Sequence, residues 1–438
     1  MPLCLSRLTT ALVLIVAASP AVAQGDIPFT AAEIEAAAYS GGDLPSGRTA
    51  LTAKVQVLLD RSGTSPGVID GYKGGMSQSA IMAFERRSGL PMDGIMDPHV
   101  WNLLQSYAAE PITQTYTITA EDAQGLVDAI PTDYAEKAQM SAMGYTSIVE
   151  KLGERFHMDE KFIAFLNPNV SLTPGNTINV TRPAAPIRAE VTRIIVDKAT
   201  RRVAVYNASG RMIADYPATI GSDATPSPSG NHHVVTVALN PNYTYNPAKN
   251  FKQGNNDKPL VVPPGPNGPV GTVWIDLSRP TYGIHGTPTP SQLFRNQSRG
   301  CVRLTNWDAE ELARNVRGGV TTVEFLPPGM TIAQATGVTP APVTTEKLEP
   351  AAETAATPAA TTEAATETTT PATAPNADLG YTDATQPAAA APTATDGIIE
   401  DTTEEAADAL APQTDPLTDA LSGALPEGFV VPLPNETQ

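Results

Sequence analysis

The chain has 438 residues, a formal charge of −18 and 41% hydrophobic residues, enough for two to four domains but not for a chain folded throughout. Seventeen acidic residues against one lysine lie from Glu346 onward, so the acidity belongs to a tail and the rest is close to neutral. No basic nucleic-acid-binding stripe, phosphate-binding loop or heptad repeat is present, which removes those function classes.

In chain order, Arg7 precedes the apolar run "LTTALVLIVAA", which ends at Ala21-Val22-Ala23. Residues 1–23 read as a secretory signal peptide, too short for a permanent membrane helix. No later apolar segment is long enough to be a transmembrane span, so the expected location is the periplasm or cell envelope of a bacterium. Residues 24–48 are rich in Ala, Gly and Ser and read as a linker with one helical turn. Over 49–107, Leu51, Val55, Leu58 and Leu59, then Ile81 and Phe84, fall at helical spacing. Asp97 caps a third helix, which predicts a small three-helix module. Residues 116–182 predict a small α+β module, with two amphipathic helices in "YTSIVEKLGERFHMDEKFIAFLNPNV" and a strand after "LTPGN". His99 and His157 lie in these helical patterns and read as surface or interface residues. From 189 to 328 the pattern is mostly β with one short helix, "WDAEELARNV", for which Thr305, Asn306 and Asp308 are alternative caps. A long Pro- and Gly-rich stretch interrupts the strands, and a loop of that length in a compact domain is usually functional. Tyr243 and Tyr245 within it suit either a substrate groove or loop anchoring. Residues 338–438 have almost no large apolar side chains and predict a disordered Ala/Thr/Pro/acidic tail.

Removing the signal peptide discards Cys4 and leaves Cys301 as the one cysteine of an exported protein. A thiol in an oxidising compartment needs a reason, either burial as a small apolar residue or reactivity. Its neighbours favour reactivity. His285 stands sixteen positions upstream in "IHG" and is a candidate general base. If "SRGCVR" is extended, Arg299 and Arg303 share a face with Cys301, favour the thiolate and are placed to bind substrate carboxylates. Gly286 and Gly300 would let backbone approach a substrate, and backbone N–H groups near Cys301 could serve an oxyanion.

Three families are recognisable in these motifs. Asp70, Gly71, Gly74, Ala80, Ile81, Phe84, Gly89, Leu90, Asp93 and Gly94 resemble the peptidoglycan-binding domain 1 pattern, with Glu85 where a Gln is usual. Leu166 to Asn169 and Leu172 to Val180 are similar to the end of a LysM module, which implies binding to murein glycan strands; an insertion after "YTIT" interrupts its front. "IHGTP…SRGCVRL", with "TPSPSG" at Thr225–Gly230, resembles the L,D-transpeptidase (YkuD) catalytic domain. That resemblance implies a YkuD-like β-sandwich, Cys301 as nucleophile and His285 as base, with Ser298, Gly300 and Arg303 at motif positions. Arg299 stands where many members have a His. The implied activity is acyl transfer from murein tetrapeptide stems through a thioester, with release of D-Ala, sensitivity to carbapenems and no cofactor or metal. The acceptor amine would belong to another stem or to a lysine-bearing envelope protein; water would make the enzyme a carboxypeptidase. Papain-like enzymes and sortases fit less well in the order and spacing of Cys and His, and a zinc site on His232, His233 and His285 would need adjacent strand residues to share a face. A catalytically inactive wall-binding protein is the remaining alternative.

Overall fold

The computed structural model describes residues 27–249 and 252–338; the expected signal peptide and acidic tail lie outside them. Helix α1 (Ala31–Ala36) starts at Thr30, whose hydroxyl accepts from the Glu33 N–H while the Glu33 carboxylate accepts from the Thr30 N–H. Its Ile34 is fully buried, so the expected linker is in part a structural element. Helices α2 (Ala50–Arg61), α3 (Gly75–Ser88) and α4 (Pro98–Leu104) follow. Thr49 and Asp97 cap the first and third, and Gly89 ends the second in the left-handed conformation at φ 71°. The helically spaced Val55, Leu58, Leu59, Ile81, Phe84 and Val100 pack into one core with Ile34. The Asp70-Gly71 turn is held by Gln56, whose carbonyl accepts both N–H groups and whose amide donates to the Asp70 carboxylate. Glu85 accepts from the Gly94 N–H, and burial pushes its pKa up to about 8. It is therefore neutral at pH 7, as a Gln there would be.

Strand β1 (Thr113–Thr117), α5 (Tyr134–Lys137), α6 (Ile148–Arg155), α7 (Glu160–Leu166) and β2 (Thr177–Thr181) make the next unit, with β1 antiparallel to β2. Leu152, Phe162, Ile163, Ile178 and Val180 belong to the same core as α2–α4. The two expected small modules are thus one body around a shared interior. Each such apolar side chain removed from water contributes about 1.5–3 kcal/mol.

The remaining strands are β3 (Arg193–Asp197), β4 (Arg202–Tyr206), β5 (Met212–Pro217), β6 (Gly230–Leu239), β7 (Tyr243–Tyr245), β8 (Leu260–Val262), β9 (Val273–Leu277), β10 (Gly283–His285), β11 (Val302–Arg303) and, after helix α8 (Asn306–Asn315), β12 (Thr322–Phe325). A short α9 (Ile332–Thr336) closes the described chain. Thr305 is the cap of α8, accepting from the Asp308 N–H. Eight strands form one sheet in the order β11-β10-β9-β6-β12-β3-β4-β5, and β7–β8 is a separate hairpin. Val196 and Val205 from one end of that order share a core with Ile284 and Val302 from the other, so the sheet curls on itself. Its edges meet: Thr219 and Arg303 exchange backbone hydrogen bonds of 3.0 and 2.9 Å, and Ser298 bonds to Ile220 and Ser222. The two layers expected of a sandwich are two halves of one curled sheet.

The N-terminal body docks on β5. Asp215 exchanges backbone bonds with Gly63 and Ser65. Its fully buried carboxylate takes the Arg202 Nε at 2.6 Å and also Arg86 from α3, while Arg202 Nη1 donates to the Ser65 carbonyl.

Candidate active site

Strands β10 and β11 run parallel with Ile284 opposite Val302 and His285 opposite Arg303. The period of two fixes the faces. Ile284 and Val302 point into the main core, whereas His285, Arg303 and, by continuation of the register, Cys301 point to the other side. Cys301, two residues before Arg303, therefore falls beside Gly283 and diagonal to His285 on the same face. The sulfur accepts from the Gly283 N–H at 3.3 Å and faces the Thr281 carbonyl at 3.9 Å. Thr281 has φ 77°, a strained conformation for a β-branched residue, held beside the sulfur.

His285 is fully enclosed. Its Nδ1 lies 2.7 Å from the Gly286 carbonyl, which accepts only from an N–H, so in the neutral ring Nε2 carries the lone pair. Burial, then the neighbouring Arg303 guanidinium, depress its pKa to about 3, against the opposing Gly286 bond. Trp274 stacks on the ring with centroids 5.6 Å apart and fixes its plane. Burial also brings Arg303 down to about 10, although Cys301 and Tyr134 both favour its charged form. The site therefore holds a neutral imidazole, a guanidinium and a thiol on one sheet face.

The segment before the cysteine is a turn, which corrects the extended reading of residues 299–303. Gly300 sits at φ 115°, so the chain bends between Arg299 and the start of β11 at Val302. Arg299 lies instead within electrostatic reach of Tyr134. Ser298 is fully buried; its hydroxyl donates to the Cys301 carbonyl at 2.5 Å and accepts from the Gly300 N–H at 3.1 Å. It shapes the turn. A Cβ on Gly300 would stand 2.5 Å from the Tyr282 ring, with the Pro226 carbonyl of "TPSPSG" also close. A Cβ on Gly286 would stand 2.1 Å from Asn306 Oδ1. Both glycines thus have steric reasons internal to the protein.

Cys301 is 1% exposed. Its face of the sheet is roofed by Tyr243, Tyr245 and Val262 of the β7–β8 hairpin and by Tyr134 and Met143, which precede α6. Both hairpin tyrosines are fully buried and Tyr134 stacks on Tyr245 at 4.7 Å, so anchoring accounts for them. Tyr134 and Met143 were not legible as site residues: they lie in the insertion after "YTIT", far from Cys301 in sequence and without a motif. Trp307 faces away from the thiol and stacks on His157, itself 3.0 Å from Asp60; burial opposes protonation of His157, but Asp60 outweighs it and raises the pKa. A cavity of about 240 Å³ beside that pair, lined also by Glu154, Asp308 and Glu311, is separate from the thiol site. His232 meets Phe325 edge-on and His99 is exposed, so neither approaches Cys301.

Residues 191–325 match the family model "L,D-transpeptidase catalytic domain", and 49–104 match "Putative peptidoglycan binding domain". The chain is 27% identical over 158 residues to the "Putative L,D-transpeptidase YkuD" of Bacillus subtilis, which covers 36% of this chain and 81% of that protein. To the protein of the same name from Bacillus licheniformis it is 33% identical over 135 residues, 31% of this chain and 66% of the relative. A solved cysteine-to-serine mutant of the Enterococcus faecium L,D-transpeptidase is similar over 32% of this chain and 50% of that one, with 21% identity and a TM-score of 0.23. The chain thus spans half to four fifths of these relatives. Residues 191–325, with His285 at the end of β10 and Cys301 immediately before β11, are thus an L,D-transpeptidase catalytic domain of the YkuD family, joined to a peptidoglycan-binding domain at 49–104.

Proposed function

We propose that the protein is a murein L,D-transpeptidase in which Cys301 is the nucleophile and His285 the general base. The observation that supports this most directly is the shared sheet face of Cys301, His285 and Arg303, with His285 held neutral. The His285 Nε2 takes the thiol proton as sulfur attacks the carbonyl of the third residue of a tetrapeptide stem. The C–N bond to the terminal D-Ala breaks, and the proton passes to the departing amine. The acceptor amine then attacks the thioester, loses its proton to His285, and sulfur leaves as thiol. The Gly283 N–H and the Arg303 guanidinium stabilise the sulfur anion at the start and at the end of the cycle. Acceptors of two kinds fit this chemistry, the side-chain amine of another stem, giving a crosslink between third residues, and a lysine of an envelope protein.

The N-terminal body supplies affinity for the sacculus: its 49–104 domain for peptidoglycan and, on the LysM-like resemblance of 116–182, glycan strands. An envelope location follows from that substrate; among the described residues no helix is long and apolar enough to cross a membrane. The test is incubation of the protein and its Cys301→Ala variant with murein tetrapeptides, read by mass spectrometry. Loss of D-Ala and new crosslinks with the parent protein alone are expected, and normal turnover in the variant would eliminate the mechanism. A product containing water in place of an amine would identify a carboxypeptidase.

A further inference from the structure

The thiol proposed to attack a branched peptide is closed off, and part of what closes it comes from outside the catalytic domain. Between β1 and α6 the chain leaves the N-terminal body, passes over the β7–β8 hairpin and returns. Over residues 124–144, Tyr134 and Met143 are the deeply buried side chains, 3% and 0% exposed, in the same cluster as Cys301. Polar contacts tie it to the hairpin region at two points. At the first, the Tyr134 N–H donates to the Gln253 side chain at 2.8 Å, and Gln253 donates back to the Thr132 carbonyl at 3.0 Å. At the second, Met143 donates to the Pro264 carbonyl and accepts from the Asn267 N–H, at 2.9 and 3.0 Å. Gly265 makes the second point possible, since a Cβ there would stand 2.2 Å from the Met143 carbonyl oxygen.

We propose that residues 130–144 are a latch by which the N-terminal body holds the active site shut, and that Tyr134 and Met143 are its two fastenings. A peptide stem cannot reach a sulfur that is 1% exposed, so turnover requires part of this roof to move. The latch is the portion suited to move. Its one helix, α5, has four residues, and few apolar side chains hold it, which places its opening at the low-cost end of local unfolding. The β10–β11 pair beneath it is part of the closed sheet and its core. The tether to murein and the cover over the thiol then lie on one body, so that engaging the wall and exposing Cys301 are coupled events. This deepens the transpeptidase reading and rests on it only in taking Cys301 as the group that must be reached.

The test reads access and not catalysis. Alkylation of Cys301 in the full chain is followed by peptide mapping, using iodoacetamide and a bulky maleimide. Tyr134→Ala and, independently, Gly265→Ala should each speed the bulky reagent at least tenfold, and iodoacetamide less. In the parent protein the amides of Met143 and Asn267 should exchange hydrogen faster than those of Val302 and Arg303. Equal alkylation rates in the parent and both variants, or exchange at Met143 and Asn267 that occurs only with global unfolding, would overturn the latch. Faster alkylation without any transpeptidation would leave the latch standing and sink the proposed function instead.

Discussion

The Nδ1 of His285 is bonded to the carbonyl of its own chain neighbour, Gly286, at 2.7 Å, so the orientation of the proposed base depends on the backbone and not on a carboxylate. With burial and Arg303 holding its pKa to about 3, the ring stays unprotonated across the range in which the wall is built. The acid limb of activity should therefore not show the midpoint near 6.5 of an ordinary histidine. Stability responds in the same window. The unfolded chain binds this proton below about pH 6.5 and the folded one only near 3, so stability rises with pH between them, by up to about 1.4 kcal/mol per pH unit from this group. His285→Gln should flatten that part of a stability profile measured by denaturant titration, and a profile identical to the parent would show that the ring is not held neutral.

Arg303→Gln removes the positive charge and the planar fork beside Cys301 and Tyr134. Alkylation of Cys301 by iodoacetamide at pH 7 should slow about tenfold, with its pH midpoint moved upward, because the thiolate loses a close cation. An unmoved midpoint would assign the guanidinium to structure only.

Asp215→Ala should be among the most damaging substitutions outside the thiol site. It would leave Arg202 buried without its carboxylate and remove the Arg86 contact, at a cost of about 3–5 kcal/mol. A denaturant midpoint close to the parent value would contradict this. The same geometry changes the expectation for removing residues 49–182: that deletion strips Arg86 and Ser65 from Asp215 and Arg202, and the remaining domain should be less stable as well as untethered.

Gly286→Ala would push a methyl carbon to 2.1 Å from Asn306 Oδ1, costing about 1–3 kcal/mol. Combining it with Asn306→Gly should recover part of that loss in a thermal melt, which a substrate-binding role for Gly286 would not produce.

Glu154 accepts from Asn306 Nδ2 at 2.6 Å and from the Tyr145 hydroxyl at 2.9 Å, and burial lifts its pKa to about 8. The unfolded carboxyl ionises near 4.5 and the folded one only near 8, so stability falls as pH rises between those values and the loss is complete above about 8. Glu154→Gln should remove that fall, gaining on the parent progressively between about pH 5 and 8 and no further above it; parallel stability profiles would show that the carboxyl is charged in the folded protein.

Much of this was legible in the sequence where short-range rules govern. The helix starts at Thr49 and Asp97 and the stop at Gly89 follow from capping chemistry, and "IHG" and "GCVR" lie side by side, with His285 ending β10 and Cys301 immediately before β11. The shared face of Arg299 and Cys301 required an extended segment, and one backbone angle, Gly300 at φ 115°, bends it, an angle not written in residue spacing. The linker reading failed at Ile34, a single apolar residue in a polar run whose burial depends on helices that follow it. The burial of Tyr134 in the same cluster as Cys301 was out of reach for the same reason: it lies in an insertion that no motif describes, and its neighbours come from a distant hairpin.

The two margins of the curled sheet are joined at Thr219 and Arg303, so the cation that confronts the sulfur is planted on the rung where the cylinder zips shut. Until that rung exists, the nascent polypeptide carries an ordinary, sluggish mercaptan. On the proposed mechanism, activation of the thiol therefore waits on closure of the sheet.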